Sequence, residues 1–263
     1  MRNTALVTGA SSGIGLELAR IHAQNGGDLV IVARRKSRLD ALKTDLEREY
    51  GVEVLVIPAD LGEPRAAQNV YARTKESGIE VDVLINNAGF GGYGKFHERP
   101  WERDEAMIQL NVQTLCALTH AFLGDMVARD RGQILNVAST AGLVPGPLQA
   151  VYYATKAFVV SFSQAIAEEL SDTNVSVTAL CPGPVETEFG EVANFKGTSA
   201  FQKPASAVGV AKVGYQAMQQ GRLVAINDWK ISLLLNWMVP FLPRKTVLRL
   251  SRAYAEKKAQ PPL

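Results

Sequence analysis

Thr8-Gly9-Ala10-Ser11-Ser12-Gly13-Ile14-Gly15 follows directly after the apolar run at residues 5–7 and opens an amphipathic stretch at residues 13–24. Three glycines between a strand and a helix let the backbone approach a phosphate closely. The exposed N–H groups and the positive end of the helix then bind the anion. The spacing is wider by one gap than in the common GxGxxG pattern, and glycine-rich turns also occur without any ligand. Because this turn opens the first strand–helix unit, we interpret it as a dinucleotide-binding turn.

The rest of the chain repeats this alternation of short apolar runs and longer amphipathic stretches. Most short runs are β-branched and lack polar alternation, as is typical of strands in a parallel sheet covered on both faces. The pattern predicts strands at residues 5–7, 29–32, 54–57, 83–85, 134–137, 176–180 and 223–226, and helices at residues 13–24, 37–49, 64–76, 101–129, 150–171 and 205–219. We therefore predict an α/β fold, a doubly wound parallel sheet (Rossmann fold) of about seven strands with helices on both faces. No linker or repeat interrupts the pattern, so we expect a single domain over residues 1–263.

Composition and charge argue against several classes of protein. The 263 residues are 47% hydrophobic and 21% charged, which is enough apolar material for a packed core. A net charge of +2 lacks the strong basic excess of nucleic-acid-binding proteins. The two cysteines, Cys116 and Cys181, form no CxxC pattern, and His22, His97 and His120 lack metal-ligand spacing. We expect no disulfide, no metal site and a cytoplasmic protein, since the N-terminus also lacks the pattern of a signal peptide.

The end of the second predicted strand bears on which dinucleotide binds. A free 2′-hydroxyl on the adenine ribose calls for an acidic residue at this point, whereas a 2′-phosphate calls for a basic one. The sequence reads Arg34-Arg35-Lys36, with Arg38 nearby and no acidic residue before Asp40. A guanidinium matches a phosphate by its planar geometry. A solvated run of charges at a helix start is the alternative, but after a dinucleotide-binding turn we favour NADP(H).

Polar and small residues follow the next two strands, where ligands bind in such sheets. Asp60-Leu61 follows the third strand, and its carboxylate is suited either to accept from the adenine amino group or to cap the next helix. Asn86-Asn87-Ala88-Gly89 follows the fourth strand, and its small residues allow close approach of the backbone. We interpret Asn86 as structural. Residues 90–94 are interpreted as a mobile loop beside the site, with a plain turn as the alternative.

Ser139, Tyr152 and Lys156 are the candidate catalytic residues. Tyr152 and Lys156 lie four residues apart in a predicted helix and so share a face, whereas Tyr153 has Ala157 in the equivalent position. A free phenol titrates near 10, and a neighbouring ammonium is expected to lower this pKa, so that tyrosine can give or accept a proton near neutral pH. Ser139 follows a strand end and can stabilise a carbonyl oxygen as it gains charge.

These motifs together resemble those of the short-chain dehydrogenase/reductase family. The matching residues, in family order, are Thr8-Gly9-x-x-x-Gly13-x-Gly15, Asn86-Asn87-Ala88-Gly89, Asn111, Ser139, Tyr152-x-x-x-Lys156 and Pro182-Gly183. The resemblance covers residues 3–187, and more loosely extends to residue 227. It implies that Lys156 also holds the nicotinamide ribose and that Asn111 anchors a water in a proton relay. It also implies that residues 182–187 pack against the nicotinamide.

The resemblance implies the following cofactor-binding set: Gly9, Ser11, Ser12, Gly13, Ile14, Gly15, Arg34, Arg35, Asp60, Leu61, Asn87, Ala88, Gly89, Tyr152, Lys156, Pro182, Gly183, Val185 and Thr187. It further implies a substrate loop at residues 184–204 and a homodimer or homotetramer. Phe189, Phe195 and Phe201 within that loop favour either an apolar substrate pocket or simple packing of the loop.

The C-terminal extension, residues 229–263, combines an apolar segment at residues 231–242 with a basic one. The apolar segment is too short to span a bilayer and contains Pro240. The basic segment that follows contains Arg244, Lys245, Arg249, Arg252, Lys257 and Lys258. The pattern fits either an interfacial membrane helix or burial against the domain or a partner subunit, and we prefer burial.

The sequence as a whole predicts an NADP(H)-dependent oxidoreductase that acts on a carbonyl or secondary alcohol of a small apolar molecule. The alternatives are an NAD-preferring alcohol dehydrogenase and a non-catalytic nucleotide-binding regulator. The complete Ser139, Tyr152 and Lys156 set argues against the regulator, because a scaffold does not need it.

Overall fold

The computed structural model describes residues 3–195, 198, 201 and 203–256. Its strands are β1 (Thr4–Thr8), β2 (Asp28–Ala33), β3 (Val54–Pro58), β4 (Val83–Asn86), β5 (Gly132–Val137), β6 (Val175–Leu180), β7 (Val185–Glu186), β8 (Ala205–Ser206) and β9 (Val224–Ala225). Seven of them form one sheet in the order β3-β2-β1-β4-β5-β6-β9, with every pair parallel. The strand order reverses between β1 and β4, which is where doubly wound sheets bind their ligands.

The helices are α1 (Gly13–Gln24), α2 (Lys36–Tyr50), α3 (Ala66–Glu76), α4 (Trp101–Ile108), α5 (Leu115–Ala128), α6 (Ala150–Glu169), α7 (Phe189–Val192), α8 (Ala207–Gln219), α9 (Trp229–Leu233) and α10 (Arg244–Ala255). The predicted fold class is confirmed: a parallel Rossmann-type sheet of seven strands is flanked by helices. Strands β7 and β8 were missed because two residues are too few to show a periodic pattern.

The alternation of side chains along each strand divides the core into two layers. Val7, Ile31 and Ile85 face the layer that α1, α2 and α8 cover. Leu6 and Val30, one position away, face the layer that α3, α5 and α6 cover. Both faces of the central strands are therefore buried, which explains why these strands are continuously apolar.

The prediction of one uninterrupted helix at residues 101–129 is wrong for the middle of that range. Helix α4 ends at Ile108, a wider π-helical turn covers Gln109–Thr114, and α5 begins at Leu115. The buried Asn111 lies in that turn and hydrogen-bonds both the N–H and the carbonyl of Phe90. A π-turn inserts one residue into the helix and is frequent at functional sites. Hydropathy does not reveal it, because the apolar pattern continues through it.

A buried chain of polar side chains ties the centre of the sheet to two helices. The Asn86 amide donates to Thr119 Oγ1 (3.0 Å) and to Asn136 Oδ1 (2.9 Å). Asn136 in turn donates to Ser163 Oγ (2.9 Å), and that hydroxyl donates to the Val159 carbonyl. These bonds fit the interpretation of Asn86 as a structural residue that links neighbouring strands.

The C-terminal extension is helical where the structure describes it. After α9, a π-helical turn covers Leu234–Met238 and a 3₁₀ turn covers Val239–Phe241, and α10 follows. Lys257 and Lys258, counted with the basic segment, lie outside the described residues. Among residues the structure describes, no helix has the length and apolar character needed to cross a membrane.

We predict that Asn136→Ala lowers the free energy of unfolding by about 2–3 kcal/mol, because it removes two buried hydrogen bonds and leaves their partners unsatisfied. Urea denaturation followed by circular dichroism measures this loss. Asn69→Ala, on the exposed side of α3, is the matched control and should change stability by less than about 0.5 kcal/mol. Equal effects of the two substitutions would contradict a stabilising role for the polar chain.

Candidate active site

The carboxyl ends of β1 and β4 are held together by one threonine. The Thr8 hydroxyl donates to the Ile85 carbonyl (3.2 Å) and accepts from the N–H groups of Asn87 (2.9 Å) and Ala88 (3.0 Å). The Asn87 amide donates back to the Thr8 carbonyl (2.9 Å). The glycine turn after β1 and the Asn87-Ala88-Gly89 segment after β4 are therefore joined at the point where the strand order reverses.

The glycine turn is packed so closely that larger residues do not fit. A Cβ on Gly9 would lie 2.7 Å from Asn87 Nδ2, and one on Gly15 would strike Asn87 and the Gly9 carbonyl. Gly13 has a φ of +57°, and a Cβ there would lie 3.0 Å from Thr187 Cγ2. The side chain of Ile14 packs partly into the core. Backbone N–H groups rather than side chains therefore line the surface at the start of α1, which suits a phosphate.

Arg35 connects the glycine turn to the predicted substrate loop. Its guanidinium donates to Ser11 Oγ (3.0 Å) and Ser12 Oγ (2.9 Å), and it pairs with Glu188 (2.7 Å). Arg38 pairs with the other oxygen of Glu188. Hydrogen bonds from Arg38 and then Arg35 lower the pKa of Glu188 to about 2, so this carboxylate stays ionised. The guanidinium of Arg35 is thus already bound to Ser11, Ser12 and Glu188.

Arg34 is placed differently from Arg35. Its side chain is 77% exposed, and its nearest carboxylate oxygen, on Asp60, is 3.9 Å away. Asp60 accepts from the N–H of Gly62 (2.9 Å) and therefore caps a turn. The alternative that Asp60 caps the next helix is wrong, because α3 begins at Ala66. Next to Asp60, the Leu61 carbonyl accepts from the Thr114 hydroxyl (2.7 Å).

The segment after β6 begins beside Ser139, which follows β5, and extends to the glycine turn. The Pro182 carbonyl accepts from the Ser139 hydroxyl (3.3 Å) and from the Thr140 N–H (2.9 Å). The Gly183 N–H donates to Asn227 Oδ1 (3.0 Å). Val185 is buried and pairs with Ala205 through β7 and β8, and Thr187 then reaches Gly13.

Tyr152 and Lys156 are both buried on α6. Burial raises the pKa of Tyr152, and a hydrogen bond with the Ser139 hydroxyl opposes that rise. Burial lowers the pKa of Lys156 to about 8, while its ammonium donates to the Val137 carbonyl (2.7 Å). The expected lowering of the Tyr152 pKa by Lys156 is therefore not the dominant effect. Desolvation is larger, and the group that lowers this pKa is Ser139.

Asn111 and Gly89 lie next to the Lys156 ammonium. A Cβ on Gly89 would be 2.9 Å from Asn111 Oδ1 and 3.6 Å from Lys156 Nζ. The Asn111 amide also donates to the Thr155 hydroxyl (3.1 Å). The structure thus brings these three residues together although more than 60 positions separate the first from the last.

Aromatic rings from the predicted substrate loop surround Tyr152. The rings of Phe189 and Phe195 lie 5.5 Å and 6.0 Å from the Tyr152 ring, centroid to centroid, and Phe201 lies 5.9 Å from Phe195. The Tyr93 ring lies edge-on to Phe195, 6.5 Å away between centroids. The two interpretations of these phenylalanines are therefore compatible, since they pack the loop down and also form an apolar wall beside the phenol.

One feature near Tyr152 was missed by sequence reasoning, namely the buried ion pair of Arg99 and Asp104. Arg99 Nη2 lies 2.6 Å from Asp104 Oδ1, and Arg99 Nη1 donates to the Tyr93 carbonyl (2.9 Å). The Gly94 N–H donates to the Leu148 carbonyl (2.8 Å). The stretch interpreted as a mobile loop is thus held at several points. A close Arg–Asp pair five residues apart is too common in sequences to signal this.

Comparison with known proteins identifies the family. Residues 3–196 match the family model described as short chain dehydrogenase. The very-long-chain 3-oxoacyl-CoA reductase of Anas platyrhynchos is 32% identical over 97% of this chain and 83% of that protein. The NADP-dependent 3-hydroxy acid dehydrogenase YdfG of Salmonella typhi is 41% identical over 73% of this chain and 76% of that protein.

A solved structure agrees over the whole fold. The short-chain dehydrogenase from Sphingobium yanoikuyae in complex with NADPH has a TM-score of 0.83 and 32% identity, and covers 99% of this chain and 98% of that one. Together with the matched family model, which spans most of the sequence, this likeness shows that the chain belongs to the short chain dehydrogenase family of oxidoreductases, which act on hydroxyl and keto groups.

Proposed function

We propose that this protein transfers a hydride between NADP(H) and a carbonyl or secondary alcohol group of an apolar small molecule. The observation that carries the proposal is the convergence of Ser139, Tyr152 and Lys156, next to an apolar wall, on the edge of the sheet that bears the glycine turn. Relatives that bear NADP or NADPH in their names support the choice of cofactor.

The residues present fit a dinucleotide. The backbone cradle at Gly9, Gly13 and Gly15, which any Cβ would fill, suits the pyrophosphate, with Ser11, Ser12 and Ile14 contributing N–H groups. Asp60 and Leu61 would border the adenine, and Asn87, Ala88 and Gly89 the adjoining ribose. Pro182, Gly183, Val185 and Thr187 would border the nicotinamide. When bound, the nicotinamide supplies or accepts the hydride.

Tyr152 is proposed as the group that exchanges a proton with the substrate oxygen. Because burial raises its pKa, the phenol stays protonated at neutral pH and is ready to donate to a carbonyl during reduction. Ser139 would hold the same oxygen with its hydroxyl as charge develops there. Alcohol oxidation needs the phenolate instead, and the Ser139 hydrogen bond favours that form.

Lys156 is proposed to hold the nicotinamide ribose and to pass protons onward. With a pKa of about 8, its ammonium is mostly protonated at neutral pH but can give up a proton at modest cost. Asn111 borders it through Gly89 and lies in a π-helical turn, where the backbone pattern is irregular. We therefore propose Asn111 as the anchor of the water that relays protons to Lys156.

Arg34 is proposed as the main ligand of the 2′-phosphate. It is exposed at the end of β2, and its ion pair with Asp60 is long, at 3.9 Å. Arg35 would add positive potential, although its donors already bind Ser11, Ser12 and Glu188. An NAD-preferring alcohol dehydrogenase is the alternative, and a basic strand end disfavours it. A non-catalytic regulator would not need the buried Tyr152 and Lys156.

The organisation of the whole protein is also proposed on family grounds. We propose one domain over residues 1–263, with a substrate loop at residues 184–204 and an extension at residues 229–263. A homodimer or homotetramer and a cytoplasmic location remain predictions. Analytical ultracentrifugation measures the first, and fractionation of the source cells the second.

We predict that Tyr152→Phe lowers turnover at least about 10³-fold while binding of NADPH is retained, because only the transferable proton is lost. A screen of apolar ketones with NADPH oxidation as the readout supplies the substrate, and fluorescence titration measures binding. Tyr153→Phe is the matched control and should keep most activity. Substantial turnover by Tyr152→Phe would refute the assignment.

We predict that Arg34→Ala weakens NADPH binding about 10–100-fold and leaves NADH binding nearly unchanged, since charge-assisted hydrogen bonds to the 2′-phosphate are lost. Fluorescence titration with both nucleotides measures the difference. Arg48→Ala, at the far end of α2, should change neither value. Tight NADH and weak NADPH binding by the unaltered protein would overturn the cofactor assignment.

We predict that Ser139→Ala moves the rise of kcat/KM for alcohol oxidation to higher pH. Ser139 lowers the pKa of Tyr152, so its removal raises that pKa and delays formation of the phenolate. The pH profile of alcohol oxidation measures the shift. Thr140→Ala, whose hydroxyl also donates to the Pro182 carbonyl, is the control and should leave the profile in place. An unshifted profile in Ser139→Ala would contradict the coupling.

A further inference from the structure

The C-terminal extension presents a row of large apolar side chains to the solvent. Trp229, Leu233, Trp237 and Phe241 follow one another at four-residue spacing and are 71%, 51%, 69% and 83% exposed. Four-residue spacing places these side chains along one side of the helical turns that run from α9 to residue 241. We call this row the C-terminal patch.

The opposite side of the same turns is docked onto the protein. Ile231, Leu235 and Val239 are half-buried, and Ile231 reaches Gly183, where a Cβ would lie 3.5 Å from Ile231 Cδ1. The segment is thus apolar on both sides, with one side packed inward and the other facing outward. The interpretation preferred from the sequence, that this segment packs against the domain, holds only for the side that carries Ile231, Leu235 and Val239.

Helix α10 continues the docked surface. Val247 and Ala255 are buried, while Ser251 hydrogen-bonds Tyr153, the neighbour of Tyr152. Leu250, which lies off this docked side, is exposed. Helix α10 therefore lies beside Tyr153, the sequence neighbour of Tyr152.

The charge of the segment that carries the C-terminal patch is mostly positive. Residues 229–256 contain five cations, Lys230, Arg244, Lys245, Arg249 and Arg252, and a single carboxylate, Glu256. The net charge of this segment is +4, whereas the whole chain carries only +2, so the remainder is net negative. An exposed apolar row bordered by cations suits an anionic surface that also has an apolar interior.

We propose that the C-terminal patch and its cations form an interfacial binding surface for anionic lipid bilayers. Tryptophan side chains suit the boundary between headgroups and acyl chains, because the ring is apolar and the indole N–H is polar. A contact of this patch with the same patch of a second copy would instead bring two segments of net charge +4 together, which repulsion disfavours.

The position of this surface also indicates a substrate class. That inference rests on the proposed function. Ile231 borders Gly183 beside the proposed nicotinamide site, and α10 contacts Tyr153. A bilayer bound at the patch would therefore lie on the side of the protein that carries Gly183 and Tyr153. The substrate would be a ketone or secondary alcohol with a long apolar tail that enters from the lipid.

Vesicle flotation tests the surface without any need for activity. The full chain should float with vesicles containing one third phosphatidylglycerol at low salt, and should float weakly with pure phosphatidylcholine. High salt should release it, because ions screen exposed charges. Trp237→Ser with Phe241→Ser, and separately Lys245→Glu with Arg249→Glu, should each lower the bound fraction at least about tenfold at limiting lipid.

Substitutions of similarly exposed residues outside the C-terminal patch control for non-specific binding to lipid. Trp101→Ser removes another exposed tryptophan, and Arg48→Glu reverses another exposed cation, and both should float like the unaltered protein. In a Trp101→Phe, Trp229→Phe variant, Trp237 is the remaining tryptophan, and brominated lipids should quench its fluorescence.

Different results would contradict the lipid-binding surface, the proposed function and the lipid route of the substrate. Absence of flotation with anionic vesicles by the unaltered protein would overturn the proposal. So would sedimentation equilibrium showing a dimer that Trp237→Ser dissociates, because the patch would then be a subunit contact. If the protein floats but never oxidises NADPH with any ketone, the lipid surface stands and the proposed function fails. If it turns over soluble and vesicle-bound long-chain ketones equally, the lipid route for the substrate is excluded.

Discussion

The Thr8 hydroxyl makes the contact on which the arrangement of the site depends. By bonding Ile85, Asn87 and Ala88, it fixes the end of β1 against the end of β4 at the place where the strand order reverses. The glycines follow from this constraint, because Asn87 then occupies the volume that a side chain on Gly9 or Gly15 would need. The cradle is therefore a consequence of how tightly two strand ends are joined, rather than a separate feature of the turn.

Burial controls the chemistry of the proposed catalytic groups. Tyr152 and Lys156 are both removed from water, which disfavours the charged form of each and moves their pKa values in opposite directions. The Val137 carbonyl and the Ser139 hydroxyl offset part of this cost by hydrogen bonding. The aromatic wall of Phe189 and Phe195 excludes water from the same place. The segment that carries Phe189 and Phe195 thus contributes to the burial of Tyr152 as well as to the shape of the site.

Some of the site is visible in the sequence because it depends on local spacing. Four residues separate Tyr152 from Lys156, so the helix alone places them on one face, and the glycines mark the first strand–helix junction. The role of Glu188 is not visible in this way, since its partners Arg35 and Arg38 lie about 150 positions earlier in the chain. The π-helical turn around Asn111 is also hidden, because the hydropathy of residues 109–114 continues through it and its contact with Phe90 is not visible in local spacing.

The sequence by itself determined the Rossmann-type fold, the strands of the sheet and the family, because hydrophobic periodicity and short motifs report local structure. Only the tertiary structure decided which of the two arginines after β2 is free, since Glu188 binds Arg35 and leaves Arg34 exposed. It also placed Ser139 where its hydrogen bond opposes the rise in the Tyr152 pKa that burial causes. It showed, finally, that the C-terminal extension has one side packed and one side exposed. These outcomes depend on distances between segments far apart in the chain, and such distances are set by packing rather than by local sequence.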